Sequence, residues 1–325
     1  MCSKVLCFGE LLIRFQSEFG TIFKDKKASL KGYPGGSEAN VAISLARLEV
    51  PVTYLTAIPD NPLSTELQSI LESHNVDTSK VLFQGDRIGS YYLFSANGLS
   101  DGDVLYDRKY SSFNRLKNGD IQWDEVFQDV DWFHFSALTP AIDNVLAELC
   151  LEGLKVAREK KITVSVDLNY RSKLWQYDKQ PIEVMPEIVD YADVIMGNIW
   201  ASNKMLGTTL LDNLDKNTSK ELLVESSENS ANEIFVRYKN CKYVANTFRF
   251  MAHSRHNRFF GTYHTRTETK VSQTMETEEL IDRIGSGDAF MAGLIYGIRE
   301  KLNPQEIIDL ASLSGFQKLF VEGDF

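Results

Sequence analysis

Short apolar runs recur along the chain, and between them apolar residues return every three or four positions. Residues 5–8 and 52–58 read as short buried strands, and residues 37–48 between them put Ala39, Ala42, Leu45 and Leu48 on one helical face. Residues 132–135, 162–167, 194–196 and 243–248 are further runs of strand length, separated by helical stretches such as 142–160. Strands alternating with helices predict an α/β fold, a doubly wound, mainly parallel sheet flanked by helices. Two stretches break this rhythm. In residues 14–33 and 87–116 aromatic and polar residues alternate, as at Tyr91, Leu93, Val104 and Tyr106, which predicts strands outside the main sheet, either a flap over a site or a surface hairpin. Residues 208–233 are polar and predict a loop running into an amphipathic helix rather than a linker. Without a clean boundary, an internal repeat or a low-complexity tract, residues 1–325 read as one domain.

Composition narrows the partners. The chain is 43% apolar over 325 residues, enough for a large core, and its formal charge of −10 argues against a surface built for nucleic acid or for an anionic membrane. An anionic ligand must therefore meet a local basic pocket. Cys2, Cys7, Cys150 and Cys241 lack metal-ligand or redox spacing and are expected to be reduced thiols, with no disulfide. The apolar start is interrupted by Glu10 and Arg14, too early for a signal or spanning segment, which points to the cytoplasm. His74 and His134 have no partner at metal spacing and read as structural.

The most informative segment is residues 282–293, which begins Asp282, Arg283, Ile284, Gly285, Ser286, Gly287, Asp288 and sits where a loop enters a helix. Glycines at 285 and 287 let the backbone approach a ligand, and exposed N–H groups at a helix start favour a phosphate. Asp288 in the same turn can accept a proton from a hydroxyl attacking that phosphate. A bare Gly-x-Gly-Asp string is also what a tight turn into a capped helix looks like, so spacing alone leaves both readings open.

The whole run 282–293 resembles the C-terminal signature of the ribokinase-like (PfkB) sugar kinases, with Ser286 in place of the commoner alanine. A second signature stands near the N-terminus as Gly35, Gly36, Ser37, Glu38, Ala39, Asn40, Val41, Ala42. The resemblance covers nearly the whole chain. It implies the ribokinase-like fold with a small β-structured lid, formed by about 12–34 and 87–116, and ATP-dependent phosphorylation of a sugar with Asp288 as base and Gly285, Ser286 and Gly287 as the anion hole. Gly35 and Gly36 give a floor without side chains for a sugar, and Asn40 can bond its hydroxyls; a helix start capped by Ser37 is compatible with this.

Within that family the chain looks closest to the 2-keto-3-deoxygluconate kinases. Tyr106, Asp107, Arg108 and Lys109 resemble the segment that presents a tyrosine and an arginine to the substrate, residues 167–175 resemble a strand-end motif with Asn169 and Arg171, and Tyr91 falls where a lid tyrosine contacts the sugar. A substrate carboxylate suits a guanidinium fork, although Arg108 as a solvated lid charge and Arg171 as a partner of Asp167 are equally open from the residues alone. The resemblance further implies a nucleotide site at Asn169, Arg171, Asn198, Thr247, Arg249, Gly285 and Gly287, with ATP and Mg²⁺. Position 201 is Ala201 where the family often has a metal-linked glutamate, so no metal ligand is assigned. The family usually continues past the run Gly323, Asp324, Phe325, so a final helix is expected to be missing or the chain shortened, and residues 251–279, with His253, His256 and His264, read as a polar loop and β-ribbon near the adenine pocket in preference to a metal site. Dependence on a monovalent cation and homo-oligomerisation through the lid are left open. The rival readings are a fructokinase or ribokinase acting on a neutral sugar, a catalytically impaired sugar-sensing protein, and a dehydrogenase. The last is opposed by Gly9 and Glu10 standing where a glycine fingerprint would follow the first strand.

Overall fold

The computed structural model describes residues 3–17, 29–94, 104–215 and 217–325. Cys2 and parts of both expected lid segments, 18–28 and 95–103, lie outside them. The central sheet has the order Thr269–Val271, Asn257–His264, Tyr243–Phe250, Val194–Gly197, Thr163–Asp167, Val130–Ser136, Lys4–Phe8, Val52–Leu55, with Met275–Thr277 also pairing with Asn257–His264. From Val52–Leu55 to Tyr243–Phe250 all pairings are parallel; the strands beyond are antiparallel. Two apolar clusters cover the two faces, as the near-continuous apolar strands require. The fold class expected from the sequence is the one observed.

Helix Asn144–Glu159 shows why the pattern folds this way. Asp143 caps it by accepting Leu146 N–H at 2.9 Å, and Leu146, Leu149, Cys150, Leu154 and Ala157 bury one stripe. Helix Ser286–Arg299, which carries the Gly-x-Gly-Asp segment, lies against helix Pro304–Gln317 so closely that a Cβ on Gly293 would fall 2.8 Å from the Ala311 Cα. That contact fixes the helix whose first turn forms the site.

Two sequence expectations need correction. Residues 52–58 are not one strand: Val52–Leu55 pairs with Lys4–Phe8, and Ala57–Ile58 pairs separately with Leu82–Phe83. The break falls at Thr56, whose hydroxyl accepts Leu11 N–H at 3.3 Å as the chain leaves the sheet edge. Residues 251–279 do form a loop and an antiparallel ribbon, Asn257–His264 with Thr269–Val271 and Met275–Thr277, but Asn257–His264 is also a full strand of the central sheet with Phe259, Phe260 and Tyr263 buried. Charged flanks on both sides disguise it. The two stretches outside the main rhythm form a separate four-stranded sheet, Leu30–Gly35, Leu12–Ser17, Gly89–Leu93, Val104–Asp107, lying over the carboxyl ends of the central strands. The three cysteines described are free and buried. His134 sits in the core with its Nδ1 2.9 Å from Ser165 Oγ, and burial pushes its pKa down to about 3, so it is neutral and structural.

Candidate active site

One cavity of about 480 Å³ opens between the central sheet and the outer sheet. Its floor is the first turn of helix Ser286–Arg299. Gly285 precedes that turn with φ 82°, and a Cβ there would fall 1.9 Å from the Asp324 carbonyl oxygen, so only glycine fits. Gly287 is the opposite case: a Cβ on it would meet no protein atom within 4 Å, because the space in front is the cavity. The first-turn amides have no intrahelical acceptor, and the helix dipole adds positive potential in the same place. Ser286 anchors the turn from below, its hydroxyl donating to the Gly315 carbonyl at 2.8 Å. Beneath Gly285 the Lys318 ammonium donates to the carbonyls of Val321 and Gly323 at 3.0 and 2.8 Å, bringing a further positive charge.

Asp288 stands in this turn and is buried. Ser37 Oγ donates to its Oδ1 at 2.6 Å and Asn40 Nδ2 to its Oδ2 at 2.7 Å, while Asn169 Nδ2 donates to Ser37 Oγ at 3.2 Å. These bonds aim the carboxylate, and burial raises its pKa against their opposing pull. Ser37 is thus not the helix cap its position implied; Gly36 is the N-cap residue and makes no side-chain bond. A Cβ on Gly36, at φ 139°, would fall 2.5 Å from the Glu10 carbonyl oxygen. Asp167 lines the cavity close by, its Oδ1 accepting Asn169 N–H at 3.0 Å and its pKa pushed up to about 7 by burial and by the charge of Asp288. Glu38, sealed behind the first turn of its helix, accepts Ser136 N–H at 2.8 Å and is also pushed up to about 7 by burial.

The outer sheet supplies the opposite wall. Tyr91 and Tyr106, paired across neighbouring strands with ring centroids 6.0 Å apart, line the cavity together with Arg108. Arg108 is not a solvated charge: it is buried, and its Nε donates to Glu10, which also accepts from Ser111 Oγ. Arg171 is exposed at the rim, with Nη1 donating to the Tyr170 carbonyl at 3.0 Å. Asn198, Thr247 and Arg249 line the far end, where Asn198 caps helix Ile199–Leu206 by accepting Ala201 N–H at 2.8 Å. Of the residues singled out from the sequence, Gly35 alone does not line the cavity; its missing side chain instead admits Asp324, whose Oδ2 lies 2.6 Å from where a Cβ would be.

Sequence reasoning missed several lining residues. Trp200, Arg283 and Asp324 all face the cavity, and Glu10 holds one of its walls. Glu10 carried a signal, since an acidic residue directly after a buried strand needs a partner. Among the described residues no group of three His, Cys, Asp or Glu side chains is disposed to hold a metal, and no helix is long and apolar enough to cross a membrane. His253 and His256 pair instead with Glu278 and Glu276 at 2.8 and 2.7 Å.

A family model for pfkB carbohydrate kinases matches residues 3–236. The chain belongs to the pfkB family of carbohydrate kinases. A crystal structure of 2-dehydro-3-deoxygluconokinase from Thermotoga maritima superposes with a TM-score of 0.88 at 31% identity, covering 100% of this chain and 95% of that one. The 2-dehydro-3-deoxygalactonokinase of Haloferax volcanii is 31% identical over 175 residues; this stretch is 54% of either protein, so the match spans about half of that relative's length. The 2-dehydro-3-deoxygluconokinase of Bacillus subtilis is 23% identical over 98% of this chain and 90% of its own. Plant fructokinases are also among the relatives.

Proposed function

We propose that the protein is an ATP-dependent 2-keto-3-deoxygluconate (2-dehydro-3-deoxygluconate) kinase that phosphorylates the terminal hydroxyl of its substrate. The observation that carries the reading is the pairing of a basic, phenol-lined wall with the buried carboxylate of Asp288 across one cavity. Asp288 takes the hydroxyl proton as the new O–P bond forms, and the open amides of the helix start at the Gly285–Gly287 turn hold the phosphoryl oxygens. Tyr91 and Tyr106 bond sugar hydroxyls. Arg108 and Arg171 meet the carboxylate, Arg108 with the nitrogens not given to Glu10. Closing the outer sheet over the sugar keeps water from the phosphoryl group. Asn169, Asn198, Thr247 and Arg249 serve the nucleotide.

Mg²⁺ fits as the companion of ATP, held chiefly by phosphates and water. Both Asp288 oxygens are engaged, whereas Asp167 Oδ2 has no hydrogen-bond partner among the described residues and is the carboxylate oxygen that would reach the ion. When bound, the ion neutralises phosphate charge. The test of the sugar assignment is an ADP-release assay with the keto acid, fructose and ribose, on wild type and Arg171→Gln. Arg171 is the better probe, because truncating Arg108 would also strand the buried Glu10. The keto acid should be preferred, and the variant should raise its KM about tenfold to a hundredfold while any activity on neutral sugars hardly changes. A wild-type preference for fructose or ribose overturns the sugar assignment.

A further inference from the structure

The cavity wall beside the start of helix Ser286–Arg299 holds a guanidinium that the mechanism above does not use. Arg283 is 4% exposed and lines the cavity, yet its Nε, Nη1 and Nη2 are all shut off from bulk water and have no hydrogen-bond partner among the described residues. A guanidinium keeps its charge in proteins and offers five donors, so leaving it buried and unpaired is among the costlier arrangements a fold can hold. The carboxylate next to it in sequence is spent elsewhere: Asp282 Oδ2 accepts from Arg14 at 2.8 Å and from Gly323 N–H at 3.3 Å, and Oδ1 accepts Ile284 N–H at 3.0 Å. Three more guanidiniums line the same cavity, Arg108, which is paired with Glu10, and Arg171 and Arg249, facing the carboxylates of Asp167, Asp288 and Asp324. Burial accordingly pulls the Arg283 pKa below its ordinary value.

What would relieve this arrangement is an anion with several oxygens seated at the helix start. Arg283 is one turn from that point, since Ser286 N–H donates to its carbonyl at 3.3 Å. We propose that Arg283 is a phosphate-binding residue that takes oxygens of the nucleotide's terminal phosphates beside the amides of Gly287 and Asp288. During transfer the sugar oxygen bonds the γ-phosphorus, its proton goes to Asp288, and the bridging P–O bond breaks with its electron pair left on the β-phosphate. The departing diphosphate thus gains negative charge, and a two-pronged donor beside it holds that charge better than an ammonium would. The inference rests on kinase membership and not on which sugar is used.

The test compares ADP and AMP binding to wild type, Arg283→Met and Arg283→Lys by calorimetry, with thermal melting of each unliganded protein. Arg283→Met should melt no lower than wild type, because it removes an unpaired buried charge. Its ADP affinity should fall about tenfold to a hundredfold while AMP affinity changes less than about threefold, and Arg283→Lys should fall in between. Unchanged ADP affinity, or equal losses for ADP and AMP, overturns the proposal. A selective rise in the KM for the sugar acid overturns it too, by making the sugar carboxylate the anion. Should Arg283→Met fail to fold, Arg283→Lys is read by the same two affinities. ADP binding by wild type is measured independently of any sugar, so failure here is distinct from failure of the sugar assignment.

Discussion

Replacing Asp288 by asparagine separates proton acceptance from shape. The carboxylate accepts Ser37 Oγ–H at 2.6 Å and Asn40 Nδ2–H at 2.7 Å. An asparagine turned with its oxygen towards Asn40 keeps the second bond and points its NH₂ at Ser37, whose hydroxyl already receives Asn169 and can rotate to accept. Two charge-assisted bonds of about 1.5–3 kcal/mol each are exchanged for neutral ones. Against this, a buried charge with a desolvation cost of several kcal/mol disappears. The two effects oppose, so stability should move by less than about 2 kcal/mol in either direction. Catalysis has no such compensation, and turnover should fall by about 10²–10⁴ with ADP affinity within about threefold of wild type. The pH profile adds a second readout. Burial raises the Asp288 pKa, so wild-type kcat/KM should fall as pH drops through that value and the ionised base is lost, and this acid limb should vanish in Asp288→Asn. Coupled ADP release, calorimetry and melting curves supply the three quantities. Turnover within tenfold of wild type, with the acid limb intact, would refute the assignment of Asp288 as base.

Gly287→Ala should leave the melting temperature unchanged or raised, since its Cβ meets no protein atom and alanine is the better helix former by up to about 1 kcal/mol. Its ADP-release rate should nonetheless fall at least about tenfold, because the methyl group enters the space of the phosphate; full activity would mean the phosphate lies elsewhere. The pH dependence of stability follows from Asp167 and Glu38, raised from 3.8 and 4.5 to about 7. Between roughly pH 4 and 7 the folded chain holds protons that the unfolded chain has released, so stability declines as pH rises through that window and levels off above it. Asp167→Asn should flatten part of this slope in melts from pH 5 to 8, and an unchanged slope would contradict the raised pKa.

What the sequence made legible was local. The glycine turn at 285–287, the adjacent carboxylate and the parallel strands all announce themselves within a dozen residues, because a helix start, a tight turn and an apolar run are each defined by neighbouring positions. What escaped was made by distant pairs. Nothing near Ser37 indicates that its hydroxyl serves Asp288, 251 positions away, rather than its own helix. Nothing near Gly35 indicates that its missing side chain makes room for Asp324. Arg108 reads as a lid charge until Glu10, 98 residues earlier, is seen to hold it. Asn257–His264 was obscured for a different reason: its apolar core is short, and the polar residues on either side dominate any window wide enough to score it.

The same long-range pairs explain why the outer sheet and the anion-binding turn act as one construction. Arg14 lies on strand Leu12–Ser17 and is completely buried, stacked 4.3 Å from the Tyr33 ring. Its Nη2 donates to Asp282 at 2.8 Å and its Nε to Asp324 at 2.6 Å, joining the outer sheet to the residue that opens the anion-binding loop and to the tail beneath it. Asp282 in turn fixes Ile284 N–H at 3.0 Å, one residue from Gly285. On the neighbouring strand Tyr91, which lines the cavity, is in register with Arg14. A buried ion pair of this kind is weak evidence for stability, since apolar replacements often do as well, but removing one partner costs about 3–5 kcal/mol. Its value is geometric. The proposed transfer between two bound molecules needs the outer-sheet wall and the helix-start floor at a fixed separation, and Arg14 ties them through directional hydrogen bonds.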